Sequence, residues 1–327
     1  MARRPLPRRV APALGVLALD VVLAVGLGWP SWAHPASVTV GGRQDTPYTV
    51  WALAWVARAL LHGRSPWVTN HLSYPAGVNL LTNATATGIG VVLAPITRWC
   101  GPLVAFNVAV TAALSLTAWS AQLVVRRGLA VSWPAAAIGG VVAGFGPTAL
   151  AQTGGAHVHV IAGFLVPPLL LGVGRLASGT TVHPARWGGA IGAMAAVQLL
   201  IGEEVLAIAA VTALVALAAV GRHVRWRCLL VGAVVAAAVF AALGAGPVWV
   251  QLAGHGHIVG PIQHGDRYAD DLTAFVVPIR QVWLGSSWFG GLVGHFSSEG
   301  GAYLGLPLLI TCAVVGVRRI GDLRVRA

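Results

Sequence analysis

Long apolar runs separated by short arginine clusters constrain this chain more than any other feature. Val10–Trp29, Leu103–Val125, Trp133–Leu150, Val158–Leu176 and Cys228–Val248 are each near the length needed to cross hydrocarbon, which takes about 20 residues in a helix. Trp187–Ile201 and Val205–Val220 flank Gly202-Glu203-Glu204 and read as a tight helical hairpin, and Ala302–Val317 closes the set. Ala86–Trp99 is apolar but too short to span, and Gly101-Pro102 ends it. The fold class that follows is an all-α polytopic transmembrane bundle. It has about seven full spans plus one short partial helix, in a single domain covering 1–327. A first extracytoplasmic loop covers 30–87 and a second covers 249–301. Only 9% of residues are charged, against about 25% in a soluble domain. Lipid must therefore be the main solvent, since the polar groups cannot cover the apolar surface in water.

The net charge of +12 comes from 21 Arg and no Lys. A nucleic-acid partner is not indicated, because the arginines flank apolar runs and form no basic, aromatic-lined groove. They report orientation instead. With the N-terminus cytoplasmic and Ala86–Trp99 not crossing, Arg3, Arg4, Arg8, Arg9, Arg126, Arg127, Arg175, Arg186, Arg222, Arg225, Arg227, Arg318, Arg319, Arg324 and Arg326 fall inside. Arg43, Arg58, Arg64, Arg98, Arg267 and Arg280 fall outside. This is the positive-inside pattern of a multi-pass plasma-membrane protein. A crossing at Ala86–Trp99 would put Arg126 and Arg127 outside and degrade the pattern. Val10–Trp29 is long for a signal peptide and reads as a retained first helix. Cys100, Cys228 and Cys312 are far apart and form no metal or disulfide motif.

In this topology most acids and histidines lie at the outer face. Asp45-Thr46-Pro47 reads as a helix start, with Asp45 either a plain N-cap or an acid held at the membrane surface. Tyr74, Asn79 and Asn83 follow in "HLSYPAGVNLLTNATATG", either as an ordinary capped loop or as hydrogen-bonding groups for sugar hydroxyls or a headgroup. Asn83-Ala84-Thr85 also fits a glycosylation sequon, a weak signal. His157 and His159 are two apart and do not share a helix face, so one metal takes both only across an irregular turn. Glu203-Glu204 faces bulk water, or it joins Asp45 and the histidines around a divalent cation (magnesium, manganese or zinc). Asp20 lies inside the first span, where an acid needs a partner or a function. Tyr268 and Glu299 sit in a Gly- and His-rich second loop that reads as a binding loop.

These residues resemble the opening of GT-C type glycosyltransferases, polytopic enzymes that use polyprenyl-phosphate sugars on the extracytoplasmic face. The likeness rests on "DTPYTVWALAWVARALLHG" after a single span and on the "YPAGVNL…N" run. It is nearest to an actinobacterial membrane-protein group that also carries "IGEEVLA" and "EGGAYLG". The resemblance implies a cell-envelope enzyme with Asp45 as catalytic acid-base residue, often aided by a divalent cation. From the residues themselves, Arg43, Arg58, Tyr74, Asn79, Asn83, Tyr268 and Glu299 are the candidate substrate-binding groups. The lipid bilayer and a polyprenyl-phosphate-linked sugar are the implied partners. Two other classes fit the composition, a transporter or flippase of lipid-linked sugars and a non-catalytic membrane protein.

Overall fold

In the computed structural model, residues 11–42, 45–83, 86–260, 271–278, 285, 287–290 and 303–319 are described. The expectations for Arg43, Tyr268 and Glu299 lie outside them. The fold is an all-α bundle. α1 (Ala11–Leu27) leads into a five-residue α2 (Trp29–Ala33), and α3 is Thr46–Leu61. The only strands among the described residues, β1 (Val68–Thr69) and β2 (Val78–Asn79), form an antiparallel hairpin. The helices then run α4 (Thr87–Cys100), α5 (Pro102–Gly128), α6 (Trp133–Phe145), α7 (Pro147–Gly154) and α8 (Val158–Ile161). After these come α9 (Val166–Ser178), α10 (Pro184–Ile201), α11 (Glu203–Val220), α12 (Trp226–Ala253), the four-residue α13 (Ser287–Gly290) and α14 (Leu306–Arg319).

Five segments are long and apolar enough to cross a membrane: Pro102–Gly128, Trp133–Gly154, Val158–Ser178, Glu203–His223 and Trp226–Ala253. α1 is a shorter apolar helix. Of the other expected spans, α10 has 18 residues and α14 has 14. α11 and α12 expose large apolar side chains to the surroundings, Leu214 at 66% and Val234 at 68%. Helices apolar on every side need a nonpolar solvent, so this is a multi-pass membrane protein.

Two of the expected spans are broken. Trp133–Leu150 splits at Gly146-Pro147, where the proline starts α7 and cannot donate to the preceding turn. Val158–Leu176 splits after Ile161, and α9 restarts ahead of Pro167 and Pro168. Hydropathy alone does not register such breaks, because they leave composition unchanged.

Small residues set the tightest crossings. A Cβ on Gly140 of α6 would come 2.6 Å from the Ala118 carbonyl oxygen of α5, and one on Gly144 would come 2.7 Å from that of Leu114. Gly188 and Gly192 of α10 meet the carbonyl oxygens of Gly232 and Ala236 on α12 in the same way, at 2.2 and 2.4 Å. Both are small-xxx-small seams, which let helix backbones approach in lipid where no hydrophobic drive acts between them.

α4 does not cross. Its first turn lies against Leu200 and Ile201 at the end of α10. Its last residue leads through Gly101 into α5, whose second turn carries Asn107. That side chain receives the Val40 amide at 2.9 Å and donates to the Val38 carbonyl at 2.8 Å. Both ends of α4 are thus at one end of the bundle, as its 14 residues predict.

Candidate functional site

The site is built where the segment before α3 meets the broken turn between α7 and α8. Asn107, fully buried, pins residues 35–40 by three hydrogen bonds. The chain then runs against the α7 end, where the Gly42 amide donates to the Gly154 carbonyl at 2.7 Å. Only glycine fits here. A Cβ on Gly41, at φ +93°, would stand 2.3 Å from the Thr153 carbonyl oxygen, and one on Gly42 would stand 2.5 Å from that of Gly154. This close approach delivers Asp45 to the turn.

Asp45 occupies the N-cap position of α3 but makes no side-chain cap bond. Its Oδ2 lies 2.9 Å from Nε2 of His157. The Asp45 side chain is 51% exposed and that of His157 only 6%. Nδ1 of His157 is 2.5 Å from Oε1 of buried Gln152. The expected irregular turn is present: Ala156 has φ +64° and His157 is non-helical. It brings the His157 and His159 rings to 5.7 Å between centroids. One acid therefore faces outward, with a buried imidazole behind it whose far nitrogen is held by an amide.

The Glu203-Glu204 turn lies behind the histidines. Gly202 packs on the His159 carbonyl oxygen, where a Cβ would come to 2.4 Å. Glu203 accepts from Nε2 of Gln251 at 3.3 Å, and Glu204 is exposed. Among the described residues no group of three or more His, Cys, Asp or Glu has metal-holding geometry. The only described ion pair is Asp45 with His157.

The other candidate binding residues do not gather at Asp45. Arg58 follows it by 13 positions on α3, about 20 Å along the axis. It lines a separate cavity of about 310 Å³ with His62 and Arg98. Asn79 is 2% exposed and serves the fold. It donates to the Val250 carbonyl at 2.6 Å and accepts from the Leu81 amide at 3.1 Å, tying the hairpin to α12. Tyr74 is 81% exposed, and Asn83 is exposed at the end of the 3-10 turn Leu80–Thr82.

An aromatic stripe runs along α3 from the site. Tyr48, Trp51 and Trp55 stack with centroids 6.4 and 6.2 Å apart, and His71 tilts onto Trp55 at 5.2 Å. Burial first, and the Asp45 charge second, push the Tyr48 hydroxyl up to about 12. Sequence reasoning missed Gln152 and Asn107. Each is a lone amide in an apolar stretch, "TALAQTGG" and "VAFNVAV", and that isolation is the signal that marks a buried hydrogen-bonding role.

Fold and site define a polytopic membrane protein with an acid–imidazole pair at one end of its bundle. No protein-family model, no curated protein and no solved structure matches the chain.

Proposed function

We propose that this chain is a membrane glycosyltransferase that moves a sugar from a polyprenyl-phosphate donor to an acceptor hydroxyl at the extracytoplasmic face of the plasma membrane. The observation that carries the reading is the bond from half-exposed Asp45 to buried His157. A carboxylate that meets solvent on one side and is held by an imidazole on the other is placed to take a proton from an acceptor. In the reaction the acceptor oxygen attacks the anomeric carbon, and the bond to the lipid phosphate breaks with its electrons on phosphate. The acceptor proton passes to Asp45. His157 is a positioning residue: its ring fixes the carboxylate, and Gln152 fixes the ring. The leaving phosphate needs a cation, and Arg43, two positions before Asp45, is the nearest in the chain.

The test is sugar transfer by Asp45→Asn in membranes supplied with a polyprenyl-phosphate sugar. Transfer should fall by about 10²-fold or more if the carboxylate is the base. Insertion and melting should be almost unchanged, because no cap bond is lost. Wild-type transfer by this variant would end the reading.

A second reading, transport of a lipid-linked sugar, is favoured by Asp20, whose Oδ2 is buried in the bundle with no hydrogen-bond partner among the described residues. In that case Asp20→Asn would stop movement of the lipid across vesicles, and Asp45→Asn would leave it intact.

A further inference from the structure

The arginine-rich end of the bundle holds a second cavity with a different chemistry. Arg126 lies 5.8 Å from the Trp133 ring and Arg175 lies 4.8 Å from the Trp187 ring. The Arg225 amide donates to the Ala177 carbonyl at 2.7 Å. The ends of α5 and α9 and the starts of α6, α10 and α12 therefore meet here. Among the described residues no Asp or Glu lies within ion-pair distance of Arg126, Arg127, Arg175 or Arg186. Among the described residues, this positive charge has no acidic partner.

A cleft of about 460 Å³ opens between α5, α9 and α10. Its walls are apolar, with Leu123, Leu171 and Met194 among them, and Arg127 and Trp187 stand toward the arginine end. Along α5 the lining runs from Arg127 back to Leu116, 11 positions and about 16 Å. That is close to one leaflet of a hydrocarbon core about 30 Å thick. The volume lies within the range of about 300–1,000 Å³ usual for a small-molecule site.

We infer that this cleft binds one anionic phospholipid of the bilayer, with its phosphate at Arg127 and one acyl chain running along α5 toward Leu116. The charge selects the headgroup, since basic pockets between membrane helices hold acidic lipid heads. The leaflet-long apolar groove takes the chain. Arg175, stacked on Trp187, adds a second positive charge beside the head. The site is at the opposite end of the bundle from Asp45 and is independent of the activity proposed for that residue.

The full chain is reconstituted in vesicles of equal phosphatidylglycerol and phosphatidylcholine, with a trace of either lipid carrying a photoreactive acyl chain. Label should appear in α5, α9 and α10, and the phosphatidylglycerol probe should label them about fivefold more than the phosphatidylcholine probe. Arg127→Gln should remove that preference. Met194→Trp, which fills the cleft, should remove the preference as well. Arg222→Gln, at the same end but outside the cleft, should leave it unchanged. Equal labelling of α5, α9 and α10 by the two probes overturns the inference, as do a preference that survives Arg127→Gln, an equal preference on the lipid-facing α11, and loss of the preference in Arg222→Gln.

Discussion

The carboxylate of Asp45 and the ring of His157, 112 residues apart, are 2.9 Å from each other, and it is the imidazole that is buried. A helix-start acid that looks local in sequence is thus the outer member of a long-range pair.

The pair divides stability from activity between its members. His157→Ala removes a buried ring bonded to Gln152 and should cost about 1–3 kcal/mol. Asp45→Asn should cost little, because an exposed charge contributes about 0–1 kcal/mol. Sugar transfer should fall in both, and the double variant should lose less than the summed losses, since the two act as one unit. Thermal melts in detergent and transfer rates on the three variants check this. Additive losses in transfer would separate His157 from the function of Asp45.

Inside the bundle, Nε2 of Gln122 donates to Oδ1 of Asp20 at 3.1 Å, linking α5 to α1. Both side chains are fully buried. A double-mutant cycle with Asp20→Leu and Gln122→Leu should give a coupling of about 0.6 kcal/mol, and at most about 1.7 kcal/mol, as for other hydrogen bonds between membrane helices. Unfolding of the four proteins in mixed micelles measures it, and zero coupling would show that the contact does not hold α1.

Tyr48 makes stability depend on alkaline pH. Its hydroxyl is pushed up to about 12 from an ordinary value of 10.0. Between these values the unfolded chain has released the proton and the folded chain has kept it. Stability is therefore fully present below pH about 10 and is lost as pH rises through about 12. Tyr48→Phe should have a flatter melting-temperature profile over that window. An unchanged slope would mean that the hydroxyl titrates alike in both states.

The orientation is checked by fusions. A reporter after Arg127 or Arg227 should read cytoplasmic, and one at Asp271 extracytoplasmic. An extracytoplasmic signal at Arg127 would mean that Thr87–Cys100 crosses after all.

The sequence alone determined where the long apolar segments lie, though not the breaks at Gly146-Pro147 and after Ile161, and the short length of Ala86–Trp99, found as Thr87–Cys100. Both follow from the free energy of moving side chains into lipid, a sum over neighbouring residues. Asp20 stood out for the same reason, as a costly acid in an apolar run. Tertiary structure decided what the polar residues do. Whether Asp45 capped α3 or reached elsewhere depended on Gly41 and Gly42 lying against the Thr153 and Gly154 carbonyl oxygens. That approach is set by packing, and no local sum contains it. Asn79 looked like a group for a ligand and instead ties the hairpin to α12, because its partner carbonyl, Val250, lies 171 residues along the chain. Arg58 shares a helix with Asp45 yet stands about 20 Å from it, since a helix rises about 1.5 Å per residue and separates along its axis what the sequence brings close.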